Sequence, residues 1–258
     1  MNSTREFTHR ITPSPATLLI AAVLLFATLP SFAAKIEKHS LEFRGKTRAY
    51  YLYVPDGLRA ASPAPLVIVL HGSNRNGSSL VERWKRLAQE QGIIVAGPDS
   101  INPAEWGAPL DGPTFLREVA DAVSAAWPVD RRRMYLFGHS AGAGFALQIG
   151  LVESEYFAAV AVHAGALDTD RYGLTELATR KIPFTLFIGT KDERVPLDSV
   201  RATRDALQKA GFVADLTEMT GHTHDYYGKA EVINGAAWEF LSKYSLSADP
   251  KFTQYQNM

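Results

Sequence analysis

Met134-Tyr135-Leu136-Phe137 runs straight into Gly138-His139-Ser140-Ala141-Gly142, and the pattern from Ala141 to Leu151 is helical. Four consecutive apolar residues suit a strand covered on both faces, and G-x-S-x-G behind such a strand and ahead of a helix places a serine on a sharp strand-to-helix turn. The flanking glycines let strand and helix approach without a Cβ clash. The Ser140 hydroxyl then projects above the sheet at a helix amino terminus, where unpaired N–H groups favour developing negative charge. The plainer alternative is a serine that only caps a helix.

Outward from this turn, strand and helix patterns alternate. Apolar runs at Leu66–Leu70 and Ile93–Ala96 precede it, Ala158–Val162 and Phe184–Ile188 follow as further strand candidates, and Phe212–Met219 would be the last strand. Helical patterns lie between them at Leu80–Glu90, Phe115–Ala126 and Leu197–Ala210, with a last one at Ala230–Tyr244. Right-handed crossovers stack such units into a mostly parallel sheet with helices on both faces, an α/β fold. Ahead of them, Glu37–Phe43 and Thr47–Val54 alternate polar and apolar residues around Arg44-Gly45-Lys46, which predicts a hairpin at a sheet edge. One domain from 35 to 246 and a frayed tail from 247 to 258 account for the chain. The short stretch His163–Pro183 leaves room for little or no lid, so an open site is expected.

A serine hydroxyl is a weak nucleophile at neutral pH and needs a base that is itself oriented by a carboxylate. In a strand-turn-helix arrangement of this kind the chain order is serine, acid, histidine, each on a loop at a strand's carboxyl end. Asp192 lies just past Phe184–Ile188 and is the expected acid, with Glu193 as its neighbouring competitor. The only histidines further on are His222 and His224, in Gly221-His222-Thr223-His224-Asp225-Tyr226-Tyr227. Residues two apart in an extended loop point alike, so pattern alone leaves both open as the base. A metal site at this pair would need further ligands, which no second histidine or cysteine pair supplies, and no metal or cofactor is expected.

Leu70-His71-Gly72-Ser73 follows the first buried strand, where an oxyanion-binding loop is expected. The backbone N–H groups of Ser73 and Ala141 are the expected donors, and His71 reads as structural. His139 and His163 default to core or pocket-lining roles. Trp106, His163, Tyr226 and Tyr227 are candidates to line a substrate pocket, with burial in the fold as the alternative.

The 258 residues are 46% hydrophobic and 21% charged, enough for one core that needs neither metal nor disulfide. Twenty-seven basic and 27 acidic residues cancel, with no long run of one sign, which argues against a nucleic-acid partner. Arg5 and Arg10 precede an apolar stretch from Ala16 to Leu29, and Pro30-Ser31-Phe32-Ala33-Ala34 closes it. Residues 1–34 therefore read as a signal peptide cut after Ala33 or Ala34. An exported protein, periplasmic or extracellular and without a stable membrane anchor, is expected. The chain has no cysteine, which rules out lipid attachment at that residue.

From about Leu41 to Leu241 the sequence resembles the polyhydroxybutyrate depolymerase and feruloyl esterase group of α/β-hydrolases. The longest match is Phe115–Gly150, where Phe115-Leu116-Arg117-Glu118-Val119-Ala120-Asp121-Ala122-Val123 leads through Val129-Asp130-Arg131-Arg132-Arg133 to the serine turn. The resemblance implies an α/β-hydrolase fold and hydrolysis of a carboxylic ester through an acyl-serine, on a small-molecule or oligomeric substrate. It implies Ser140, Asp192 and a terminal histidine as triad. In that group the histidine is followed by one residue and then an aromatic, as in His224-Asp225-Tyr226, which favours His224 over His222. The missing cysteines and the lack of an appended polymer-binding module depart from many secreted members. A prolyl-oligopeptidase-like peptidase and a non-catalytic binding protein of the same fold are the competing readings.

Overall fold

A computed structural model describes residues 35–167 and 173–252. The segment read as a signal peptide, residues 1–34, lies outside the described residues, as do 168–172 and 253–258. Eight strands form one sheet: β1 (Ile36–Phe43), β2 (Lys46–Tyr53), β3 (Ala64–Leu70), β4 (Ile94–Pro98), β5 (Val129–His139), β6 (Ala159–His163), β7 (Phe184–Gly189) and β8 (Ala214–Met219). Their order across the sheet is β1-β2-β4-β3-β5-β6-β7-β8. The β1–β2 hairpin joins β4 antiparallel, and every pairing from β4 through β8 is parallel.

The helices are α1 (Gly77–Gln91), α2 (Pro113–Ala126), α3 (Ala141–Val152), α4 (Leu174–Leu177), α5 (Leu197–Lys209) and α6 (Ala230–Leu241). The central strands are buried throughout because both faces are covered: Leu66, Ile68 and Leu70 of β3 join one core cluster, while Val67 and Val69 join the other. In β5, Met134 and Leu136 take the first side and Tyr135 and Phe137 the second. An uninterrupted apolar run is what a strand with two buried faces requires. This is the α/β-hydrolase architecture expected from the sequence.

Element ends shift for local reasons. α1 starts at Gly77, three residues before the apolar periodicity, because the Asn76 side chain accepts a hydrogen bond from Ser79 N–H at 3.1 Å and caps the helix. β5 starts at Val129, where half-exposed Asp130 and Arg133 pair at 2.7 Å ahead of the buried residues. The expected frayed tail is docked as far as it is described: Lys251 N–H donates to Glu155 O at 3.1 Å and Phe252 packs edge-on against Tyr156.

One tertiary device gave no sequence signal. Arg48 of β2 and Asp111, just before α2, form an ion pair of 2.6 Å with both side chains buried. Asp111 also accepts the N–H groups of Ile101 at 2.9 Å and Gly107 at 3.0 Å, and Arg48 donates to the carbonyls of Asp99 and Leu110. The loop between β4 and α2 is thereby folded back onto the sheet. Asp111→Ala strands a buried guanidinium and removes the acceptor of two partly buried backbone amides, and should cost about 3–5 kcal/mol, measured by urea unfolding. A loss under about 1 kcal/mol would show that the loop holds without the clamp.

Candidate active site

The carboxyl ends of β3, β5, β6, β7 and β8 converge on one edge of the sheet, where a parallel α/β sheet builds its sites. Ser140 follows β5 with φ 56° and ψ −118°, a conformation of positive φ that costs a residue with a Cβ roughly 1–3 kcal/mol. Close packing enforces it. A Cβ on Gly142 would lie 2.1 Å from the Leu70 carbonyl oxygen, and one on Gly138 would lie 2.2 Å from that of Gly142. The glycines on either side of Ser140 let α3 sit directly on the ends of β3 and β5.

The Ser140 Oγ lies 2.9 Å from Nε2 of His224, and His224 Nδ1 lies 2.9 Å and 3.0 Å from the two oxygens of Asp192. With Nδ1 donating to the carboxylate, Nε2 is left as an acceptor facing the hydroxyl. Asp192 is shielded from solvent. Burial alone would raise its pKa, but the N–H groups of Val195 at 2.8 Å and Arg194 at 2.9 Å, together with His224, hold it below the ordinary carboxylate value. Its neighbour Glu193 is mostly exposed; it accepts the His224 backbone N–H at 3.4 Å and lies 4.0 Å from Arg194 Nε.

His222, the other histidine of the loop, is engaged elsewhere: its Nε2 lies 3.2 Å from Nε2 of His163. The His222 carbonyl accepts Lys191 N–H at 2.9 Å and so ties the loop carrying His224 to the loop carrying Asp192.

On the opposite wall, Arg75 N–H donates to Gly72 O at 3.2 Å and Asn74 N–H to Pro103 O at 2.6 Å, while Ser73 N–H makes no hydrogen bond among the described residues. Ala141 opens α3, so its N–H has no carbonyl one turn back. His71 braces this loop. Ser100 N–H donates to its Nε2 at 3.1 Å, which makes Nε2 the acceptor and leaves the proton on Nδ1, 2.9 Å from Gly72 O. Burial lowers its pKa and keeps that neutral tautomer.

The cleft over Ser140 has a volume of about 260 Å³. Arg75, Glu193, Arg194, Thr223 and Asp225 line it beside Ser140 and His224, together with Gly72, Ser73, His139, Tyr226 and Tyr227. Of the residues expected to line a pocket, Tyr226 and Tyr227 do so, and Trp106 and His163 sit deeper. Tyr226 and His163 are fully buried; Tyr226 donates its hydroxyl to Asn234 at 2.8 Å and supports the His139 ring from behind. Trp106 is half-buried, donates Nε1–H to His71 O at 2.8 Å and stacks on Phe145. Trp106 and His163 do not line the cleft, because the strand ends and the folded-back loop bury them beneath it, whereas Tyr226 contributes to the cleft's lining as expected although its ring is buried. Arg75, Thr223 and Arg194 were not singled out in the sequence; polar residues on loops carry no periodicity that would mark them.

The phospholipase/carboxylesterase family model matches residues 115–241. NocK of Nocardia uniformis subsp. tsuyamanensis, an inferred esterase, is 28% identical over 206 residues, which are 73% of this chain and 58% of NocK. The chain thus spans less than two thirds of that relative's length. Among solved structures, the poly(3-hydroxybutyrate) depolymerase LpqC of Bordetella parapertussis superposes with a TM-score of 0.65 at 19% identity, over 82% of this chain and 92% of LpqC. The ferulic acid esterase AmCE1/Fae1A of Anaeromyces mucronatus gives 0.63 at 18% identity, over 78% and 89%. These likenesses agree with the sheet order and the strained serine turn: the chain has the α/β-hydrolase fold, and residues 115–241 are similar to the phospholipase/carboxylesterase family.

Proposed function

We propose that the protein hydrolyses carboxylic esters through an acyl-serine intermediate. The observation that carries this reading is the unbroken hydrogen-bonded path from Ser140 Oγ through His224 to Asp192. His224 Nε2 takes the hydroxyl proton as Oγ attacks the ester carbonyl carbon, and Asp192 stabilises the imidazolium that forms. The N–H groups of Ser73 and Ala141 donate to the carbonyl oxygen as it becomes an oxyanion. Collapse expels the alcohol, protonated by His224. Water, deprotonated by the same histidine, then attacks the acyl-serine and releases the acid.

For the substrate, the resemblance to polyhydroxybutyrate depolymerases and feruloyl esterases favours a short hydroxyacyl or aryl ester, free or in a soluble oligomer. The wall composition supports the short end of that range: beside Tyr226 and Tyr227 the lining carries Arg75, Glu193, Arg194, Thr223 and Asp225, against which an alkyl chain gains little. The protein acts outside the cytoplasm, a reading that rests on the Arg5–Ala34 signal pattern.

The test is turnover of 4-nitrophenyl esters from acetate to decanoate alongside a dipeptide anilide. Each methylene buried in an apolar pocket would add about 0.8 kcal/mol, and little is gained here, so kcat/KM for the decanoate stays at or below that for the acetate. A rise of about tenfold along the series would reveal an acyl groove, and preference for the anilide would make the protein a peptidase.

A further inference from the structure

Three histidines outside the Ser140–His224–Asp192 path form a second connection beneath it. His139 lies inside the serine turn and His163 pairs with it in register at the end of β6, the neighbouring strand. Their Nδ1 atoms are 3.0 Å apart, and from His163 the contact continues through Nε2 to Nε2 of His222 at 3.2 Å. His163 is fully buried and its two ring nitrogens are both used.

A neutral imidazole has one N–H and one lone pair. His163 can therefore join both neighbours only by donating to one and accepting from the other. This forces a single direction of donation along all three rings.

We infer that His163 is a positioning residue: through His139 and His222 it locks the turn carrying Ser140 to the loop carrying His224. The inference rests on the catalytic reading above only for its kinetic consequence. His163 also accepts Ser140 N–H on its carbonyl at 3.0 Å, so ring and backbone brace the same turn. At the far end His222 is a node, its ring tied to His163 and its carbonyl to Lys191, next to Asp192. His224, two residues on, inherits its position from that node.

The link has to be uncharged. The His139 ring centroid is 5.1 Å from that of His224, so a charge there would oppose the imidazolium that His224 becomes. Burial first, then the neighbouring His224, pushes the His139 pKa down to about 3, and burial likewise lowers His163 and His222. Tyr226 stacked on His139 and Tyr227 at its edge add no charge, and Asp192 and Asp225 lie near enough to offset the depression only in part.

The experiment compares His163→Phe, His163→Gln, His222→Ala and the His163→Phe/His222→Ala double variant. A displacement of the base by a fraction of an ångström predicts a fall in kcat of about five- to tenfold for His163→Phe and for His222→Ala, with KM within about twofold. Because both break one link, the double variant should fall no more than about twofold below the weaker single. Glutamine keeps a donor and an acceptor, and H163Q should retain more of kcat than H163F.

Amide hydrogen exchange across Gly221–Asp225 reads the link without any substrate and should speed up about tenfold or more in His163→Phe. It separates this inference from the functional reading, since it is expected whether or not the protein cleaves esters. Multiplying losses in the double variant, or exchange unchanged in both His163→Phe and His222→Ala, overturns the inference. His222, being half-buried, keeps the test open if His163→Phe does not fold.

Discussion

Ser140→Ala should lower ester turnover by about 10⁴-fold or more while leaving the melting temperature almost unchanged. Deleting one hydroxyl at the floor of an open cleft creates little void, and alanine at φ 56° is strained much as serine is, so the turn keeps its shape. His224, Asp192 and the amides of Ser73 and Ala141 stay in place with nothing to activate. The residual rate should come from binding and oxyanion stabilisation alone. Turnover within about tenfold of the parent, in protein free of parent contamination, would remove Ser140 from the mechanism.

The second large effect separates the paired histidines of one loop. His224→Ala should cost about 10⁴-fold in kcat, whereas His222→Ala should cost no more than about tenfold. The first removes the ring that lies between Ser140 Oγ and the Asp192 carboxylate. The second removes only a ring that leans on His163. Both variants should give the parent's circular dichroism spectrum. A larger loss at His222 would reassign the base while leaving the serine and the acid, and no loss at either would disconnect the loop from catalysis.

The fold was legible because a central parallel strand has no free face. Leu66–Leu70 and Met134–Phe137 carry uninterrupted apolar runs for that reason, and few structures other than a doubly covered sheet can bury them. The serine turn was legible because its glycines answer to a backbone approach that no side chain tolerates. Asp192 could be chosen from its place after a strand, while the choice of His224 rested on the aromatic at Tyr226.

That aromatic carries both roles the sequence left open: Tyr226 contributes to the lining of the cleft, and its ring is buried against His139. Burial depends on what the crossing loops cover, and no local pattern carries that. The Arg48–Asp111 pair, 63 residues apart in the chain, and the three-ring link of His139, His163 and His222 were illegible for the same reason. Each is a meeting of side chains from elements that only the finished sheet brings together.

The backbone at Ser140 sets the reactivity of this protein against its durability. A φ of 56° with ψ at −118° is ground that glycine occupies freely and serine does not, so the residue we propose as nucleophile is also one the fold would be better without. Selection for thermal endurance alone would drift toward glycine there and lose the chemistry. Attempts to harden the protein should therefore look away from the turn, to positions such as the half-exposed β1–β2 edge, and leave the strain in place.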